Sequence, residues 1–309
     1  MSPGGLFVIR PSLQVYRANS SFSYFLLSDL HIGASGCDED HIRYDINQAV
    51  IRKDRILILG DVMDMITTRD EKRYNPASMA TWLSGRSDIV NAQIERASKL
   101  LAPAAKAGLI DMISCGNHET AVEKHNNVDP ISILVDTLQA IDKNKNHKIY
   151  YGGYAGFVNY EFCKDFTNPN RDNHHLKIFY WHGSGGGHSV SSSISEFEKK
   201  SFIEDVNVLW FAHKHVRLAY ETDQIKLGSN GRLSSKSRWN IRTGGYLNTY
   251  SEQSQESFKT EGRRSNYGAD KLLKPYTLGG VRLVVNFPLD KFDNLNPRIS
   301  IEYSSPLEQ

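Results

Sequence analysis

The sequence has few cysteines, no long apolar segment and almost no net charge, and each absence excludes a class of protein. Its 3 cysteines, Cys37, Cys115 and Cys163, are too few for a disulfide framework and too widely spaced for a CxxC metal site. No apolar run approaches the roughly 20 residues of a membrane-spanning helix. The first residues lack the apolar core of a secretory signal. We therefore predict a cytoplasmic protein with reduced thiols and no membrane partner.

The small net charge conceals an uneven distribution along the chain. The 37 lysines and arginines against 35 aspartates and glutamates give a formal charge of +2, which argues against a dedicated polyanion-binding protein. Segment 226–274 nevertheless has 10 basic and 4 acidic residues, so it carries +6 and leaves −4 for the rest. The segment is either a polyanion-binding stretch, with Arg238 and Arg264 contacting the substrate, or a solvated sheet face and loop.

Apolar runs that end abruptly at polar clusters indicate buried strands. They lie at residues 24–27, 55–59, 109–115, 176–181 and 206–212. Apolar residues at helical spacing predict helices over 41–53, 88–107 and 130–141. This alternation predicts an α/β fold with the polar clusters at the carboxyl ends of the strands, where open α/β sheets bind ligands. Short β-like runs after about residue 216 indicate a second sheet packed on the first.

Two polar, irregular stretches, 65–87 and 251–275, are typical of insertions. The chain contains no internal repeat and no linker long enough to require two independent domains. We therefore predict a single domain over residues 1–309.

The polar clusters together contain two carboxylates, one amide and four imidazoles. These side chains belong to Asp29, His31, Asp61, Asn117, His182, His213 and His215. Any one cluster alone occurs often by chance, but a series of them, each at the end of an apolar run, indicates a common site. Mixed nitrogen and oxygen donors suit Mn, Fe, Zn or Ni and disfavour Ca or an all-Mg site.

The order of these clusters resembles the motifs of the calcineurin-like metallophosphoesterase superfamily. The motifs are DxH at 29–31, GDxxD at 60–64, GNH[ED] at 116–119, a His before Gly at 182–183, and a GHxH-like motif at 212–215. The last motif departs from the family pattern, because Ala212 replaces the usual glycine and Lys214 separates the histidines. One added methyl group is expected to leave ligation intact.

The resemblance implies a four-layer β-sandwich of two mixed sheets flanked by helices, with two divalent metal ions. The first ion would be held by Asp29, His31, Asp61 and His215, and the second by Asp61, Asn117, His182 and His213. Asp61 would then bridge the two ions. We favour Mn, with Fe, Zn and Ni as alternatives.

The resemblance also implies a reaction and roles for further residues. A hydroxide between the metals would attack phosphorus, while His118 protonates the leaving oxygen and Asp64 orients His118. The alternative for Asp64 is a residue that only begins a helix. His188, in the glycine-rich loop after His182, is a candidate substrate contact.

The residues that follow two of the motifs disfavour one class of substrate but do not choose among the others. Met65 after Asp64 and Thr120 after Glu119 do not match protein phosphatases, so that activity is disfavoured. We favour a phosphodiesterase, a nuclease or nucleotide hydrolase, with DNA or a nucleotide as the phosphate-ester substrate. The alternatives are a small-molecule phosphomonoesterase and a non-catalytic scaffold. Nothing in the residues indicates a protein partner or an oligomeric state.

Overall fold

The computed structural model describes residues 5–71, 73–164, 173–187, 189–227, 231–250, 272, 274–275, 277–288 and 297–304. Their elements are, in chain order, β1 Phe7–Ile9, β2 Gln14–Val15, β3 Ser21–Leu27, α1 Glu39–Arg52, β4 Arg55–Leu59, α2 Ile89–Lys106, β5 Ile110–Ser114, α3 Asn117–Asn126, α4 Pro130–Ile141, β6 Tyr150–Tyr151, β7 Ala155–Cys163, β8 His174–Trp181, α5 Val190–Lys199, β9 Val208–Phe211, β10 Leu218–Leu227, β11 Leu233–Arg242, β12 Val281–Asn286 and β13 Arg298–Tyr303.

The strands form two mixed sheets. The first has the order β13-β12-β3-β4-β5-β6, with β3 to β6 parallel and β12 antiparallel to both of its neighbours. The second has the order β1-β7-β8-β9-β11-β10, and β2 also pairs with β7. Strands β8, β9 and β11 run parallel, so the carboxyl ends of β8 and β9 lie at one edge.

The layers follow from strands that are apolar on both faces. In β3, Phe25 and Leu27 face helices α1, α2 and α4, while Tyr24 and Leu26 face the second sheet. The other face of the second sheet is covered by α5, whose Phe197 stacks on Phe211 with ring centroids 4.4 Å apart. Helices, two sheets and a helix make four layers. The predicted α/β fold of two mixed sheets flanked by helices is confirmed.

The predicted elements agree with the structure except in how the later strands are distributed. The helices predicted over 41–53, 88–107 and 130–141 correspond to α1, α2 and α4. The prediction that the second sheet begins after residue 216 was wrong. Strands β8 and β9 already belong to the second sheet, and β12 instead pairs with the open edge of β3 in the first. Hydrophobic periodicity identifies a strand but not the sheet edge that it joins.

The predicted insertion over 65–87 is described except for residue 72, and it contains two short 3-10 helices, Pro76–Ser78 and Thr81–Leu83. Most of the second, 251–275, lies outside the described residues, and the single domain stays a prediction. Among the described helices, none has both the length and the apolar character needed to cross a membrane.

Candidate metal centre

The loops that carry the motifs meet at one edge of the sandwich. The loops after β3 and β4 are joined by a hydrogen bond from the N–H of Asp29 to the carbonyl oxygen of Gly60 (3.0 Å). The loop after β8 reaches them from the second sheet, since Nδ1 of His182 donates to the carbonyl oxygen of Leu59 at 3.0 Å. Both sheets therefore contribute polar side chains to the same edge.

Most of the predicted ligands have a left-handed backbone. The φ angles are 53° at Asp29, 47° at His31, 48° at Asp61, 71° at His213 and 53° at His215. Residues other than glycine rarely adopt this conformation, although aspartate and histidine are enriched among those that do. Because the conformation costs free energy, its concentration in these loops indicates a functional site.

Two motif glycines are explained by close approach. Gly60 has a φ of +68°, and a Cβ atom there would lie 2.5 Å from Nδ1 of His182. A Cβ atom at Gly116 would overlap the carboxylate of Asp61. Any larger residue at either position would displace a predicted ligand, which accounts for glycine before Asp61 and before Asn117.

A first cluster of ligating atoms consists of Asp29, His31 and His215. All three residues are buried, and their ligating atoms lie within 4.8 Å of one another. Nε2 of His215 is 3.5 Å from Oδ1 of Asp29 and 3.3 Å from Nε2 of His31. These residues are three of the four ligands that the motifs predict for the first ion.

A second cluster consists of Asp61, His182 and His213, also within 4.8 Å. Nε2 of His182 lies 3.2 Å from Oδ2 of Asp61 and 3.2 Å from Oδ1 of Asn117. The same Oδ2 atom is 3.9 Å from Nε2 of His31 in the first cluster. One carboxylate oxygen of Asp61 therefore lies between the two clusters, as a bridging ligand requires.

Further hydrogen bonds orient these side chains. The donation from Nδ1 of His182 to Leu59 leaves Nε2 as the ligating atom, directed at Asp61. Both carboxylate oxygens of Asp29 accept from the backbone N–H of His213, at 3.2 and 3.1 Å. A ligand of the first cluster thus fixes the backbone of a ligand of the second.

The electrostatics keep the carboxylates ionised. Burial opposes ionisation, but His215 lowers the pKa of Asp29 to about 2, and His182 and His118 hold the pKa of Asp61 well below its usual range. Burial likewise disfavours charge on His182, yet Asp61 raises its pKa to about 9. A cation bound by His182 would replace that proton, because a ligating imidazole is neutral.

Glu119 is a structural residue of the site to which the sequence analysis assigned no role. Its buried carboxylate accepts from the backbone N–H groups of Gly116, Asp61 and Met63, at 2.8, 3.1 and 3.0 Å. Burial and the neighbouring Asp61 raise its pKa to about 7. Its position in the third residue of α3, where a glutamate caps the helix, is the sequence signal that indicates this role.

His118 and Asp64 lie together next to the first cluster. Nδ1 of His118 donates to the backbone carbonyl of Asp64, whose Oδ1 atom is 3.6 Å from that nitrogen and 3.3 Å from Nδ1 of His31. Burial opposes protonation of His118, but Asp61 and Asp64 outweigh it and raise its pKa. Asp64 does not begin a described helix, and it contacts both histidines.

Of the three predicted substrate contacts, one is buried in β11 and two lie outside the described residues. Arg238 is 5% exposed in β11, and its Nη1 atom donates to the carbonyl oxygen of Ile203 at 3.0 Å. The structure thus gives Arg238 a partner within the protein, and its substrate role stays a prediction. His188 and Arg264 lie outside the described residues.

No family model matches the sequence, and no curated protein matches it. Among solved structures, the chain is similar to a predicted phosphoesterase from Streptococcus pneumoniae, at 10% identity and a TM-score of 0.29, over 92% of this chain and 100% of the other. It is similar to Chaetomium thermophilum Vps29 at 11% identity and a TM-score of 0.31, over 93% and 97%. A metallophosphoesterase from Sphaerobacter thermophilus is 15% identical, with a TM-score of 0.28, over 74% and 78%.

Because these sequence identities and TM-scores are low, we infer no activity or substrate from them. The sheet order is given by the chain's own strands, and its motifs follow the strand ends in family order. The chain has the four-layer α/β fold of two mixed sheets flanked by helices that the resemblance to calcineurin-like metallophosphoesterases implies.

Within this α/β fold, the buried clusters fit a divalent metal site. Asp29 and Asp61 are ionised, and the imidazoles around them offer nitrogen donors of the kind that borderline divalent ions prefer. Among the described residues, no lysine or arginine forms an ion pair with either carboxylate. The charge of the two aspartates is therefore left for a cation.

Proposed function

We propose that this chain is a metal-dependent phosphoesterase with two divalent ions at its centre. The observation that supports the proposal is the position of Oδ2 of Asp61, which lies 3.9 Å from His31 and 3.2 Å from His182, between two separate ligand clusters. A shared carboxylate reduces the repulsion between cations about 3.5 to 4 Å apart. The donor set favours Mn, with Fe, Zn and Ni as alternatives.

The chain's own residues supply binding and proton transfer. When bound, the two ions provide a water of lowered pKa and draw charge from the phosphoryl oxygens. Asp61 would be a ligand of both ions. His118, whose Nδ1 is occupied by the carbonyl of Asp64, retains Nε2 for the leaving oxygen and donates a proton there. Asp64 positions His118 and, through its carboxylate, His31.

We further propose a phosphodiesterase that acts on nucleic acid or on nucleotides. The support is the net charge of +6 in segment 226–274. Part of that charge is already paired, because Lys226 and Lys236 lie 3.7 and 3.1 Å from Oδ1 of Asp205. The basic residues from 259 onward, Arg264 among them, therefore carry most of the support.

A panel of substrates tests both levels of the proposal. Purified protein with Mn is assayed on bis-p-nitrophenyl phosphate, p-nitrophenyl phosphate, linear and cyclic dinucleotides, and single- and double-stranded DNA. We expect EDTA-sensitive hydrolysis, faster for the diester than for the monoester. The reverse ratio would assign a phosphomonoesterase. A protein that binds no Mn and hydrolyses none of these substrates in its presence would contradict the proposal and leave a scaffold.

Arg264 separates the nucleic-acid proposal from its alternative. The Arg264→Ala variant is expected to weaken DNA binding and to reduce the slope of log K against log salt by about 1. Arg69→Ala, which removes an arginine outside the basic segment, is the matched control. A slope unchanged in both variants would contradict a role of Arg264 in binding DNA.

A further inference from the structure

Lys214 lies between two predicted metal ligands, His213 and His215. Its ammonium group pairs with a carboxylate on another element, helix α5. Lys214 is 6% exposed, and its Nζ atom lies 3.1 Å from Oε2 of Glu196 on helix α5. A buried ammonium group beside two cations would oppose their binding unless a carboxylate compensated it. Glu196 provides that carboxylate.

A second buried cation contacts the same atom. The guanidinium of Arg242 is fully buried, with Nη2 paired to Oε2 of Glu196 and Nη1 donating to the carbonyl oxygen of Ala212. That carbonyl also accepts from the backbone N–H of Lys214, at 2.9 Å. The residue before His213 is therefore held by two hydrogen bonds, one of them from a side chain that Glu196 anchors.

Helix α5 is joined to the centre at its other end as well. The chain leaves His182 through the loop Gly183–Gly187, and the carbonyl oxygen of Gly185 accepts from Nε2 of His213 at 3.0 Å. Phe197 of α5 stacks on Phe211 of β9, next to Ala212. Loop 183–187 therefore begins next to one predicted ligand, and α5 packs against the strand that precedes two others.

These contacts act on a backbone that is under strain. His213 and His215 have φ angles of 71° and 53°, a conformation that persists only where surrounding contacts hold it. The hydrogen bonds to Ala212 and the ion pair of Lys214 are contacts that hold it on the side of α5.

We propose that Glu196 is a positioning residue of the metal centre. Through Lys214 and Arg242 it holds residues 212–215 in the conformation that places the imidazoles of His213 and His215. The same arrangement explains how the chain tolerates lysine in its last motif, since the added charge is paired on α5. The proposal rests on the proposed function only in taking the ligands to bind divalent ions.

The test compares Mn binding among variants, measured by titration calorimetry without substrate. Glu196→Gln leaves two buried cations without a carboxylate, and we expect it to weaken Mn binding by about 10- to 100-fold. Lys214→Met leaves Glu196 paired with Arg242 and should weaken binding less. The double variant should bind more tightly than Glu196→Gln alone. Glu198→Gln, two residues along α5 and exposed, is the matched control.

Two further readouts separate positioning from general stability. The Mn concentration that gives half-maximal turnover of Glu196→Gln should rise by about the same factor as the loss of Mn affinity. If Glu196→Gln lowers the melting temperature in EDTA but binds Mn as tightly as the wild type, the proposal is overturned. If Glu196→Gln does not fold, Glu196→Asp keeps the charge and should give a smaller loss of Mn affinity, and an affinity equal to that of the wild type would overturn the proposal.

The outcomes also separate this inference from the proposed function. A wild-type protein that binds Mn but hydrolyses no phosphate ester contradicts the function, while the comparison of binding affinities still decides the role of Glu196. Equal Mn affinities in the wild type and Glu196→Gln, together with normal hydrolysis, overturn only the positioning role.

Discussion

The two ends of strand β5 both bury carboxylates and histidine, and only one of them has the features of a metal site. At the start of the strand, Asp111 is 1% exposed, accepts from Arg55 and from Tyr160 (2.6 Å), and lies 3.2 Å from Nε2 of His147. The charge of Asp111 is therefore neutralised within the protein, by an arginine among other partners. Beyond the end of the strand, Asp29 and Asp61 have only imidazoles as ion-pair partners among the described residues.

The two ends of β5 also differ in backbone conformation. Asp111 and its partners Arg55, His147 and Tyr160 have no left-handed φ, whereas Asp29, Asp61 and three ligand histidines do. Buried carboxylates alone therefore do not identify a metal site. The combination of strained loops, imidazole neighbours and aspartates that pair with no lysine or arginine among the described residues distinguishes the centre from a structural network.

The largest effect is expected when the carboxylate shared by the two clusters, that of Asp61, is removed. Asp61→Asn should lower kcat/KM for bis-p-nitrophenyl phosphate by about 1000-fold, or about 4 kcal/mol of transition-state stabilisation, because the bridging charge is lost. Bound metal, measured by elemental analysis, should fall in parallel. Asp136→Asn makes the same change at an exposed position of α4 and serves as control. Full activity in Asp61→Asn would rule out the bridging role.

The next effect concerns proton transfer rather than metal binding. His118→Asn should retain its metal and slow hydrolysis by about 100-fold or more, most strongly for esters with poor leaving groups. The measurement is kcat for a series of aryl esters of increasing leaving-group pKa. Loss of metal in this variant would show instead that His118 is a ligand.

The same kind of substitution at the other end of β5 should affect stability alone. Asp111→Asn leaves Arg55 without its buried carboxylate and leaves His147 with Asp142 alone, so the free energy of unfolding should fall by about 3 kcal/mol. Urea denaturation in EDTA measures this change. Mn affinity should equal that of the wild type, and a weaker affinity would mean that the two ends are not independent.

The smallest expected effect depends on pH. Burial disfavours charge on His147, but hydrogen bonds to Asp111 and Asp142 outweigh it and raise its pKa. A raised folded-state pKa contributes stability that is complete below the unfolded pKa, about 6.5, and that is lost as pH rises through the folded value. The difference in unfolding free energy between wild type and His147→Gln should therefore be larger at pH 6 than at pH 9. An equal difference at both pH values would exclude protonation as the source.

Much of the centre could be predicted because strand polarity and donor chemistry are local properties. Polar residues after parallel strands of one sheet lie at one edge whatever the details of packing, so Asp29 and Asp61 were expected to meet. His182 follows a strand of the second sheet, and its approach depends on how the two sheets pack. The role of Glu119 was less accessible, since it depends on three backbone N–H groups that come from two different loops.

The sequence by itself determined the α/β class, the helices α1, α2 and α4, and the identity of the donors, because periodicity and side-chain chemistry are written along the chain. Only the tertiary structure decided that β12 extends the first sheet, that Asp64 contacts His31 as well as His118, and that Lys214 pairs with Glu196. These features join residues far apart in sequence. Whether residues far apart in sequence come into contact depends on which strand edges pair and which side chains are buried. A local sequence pattern does not predict either.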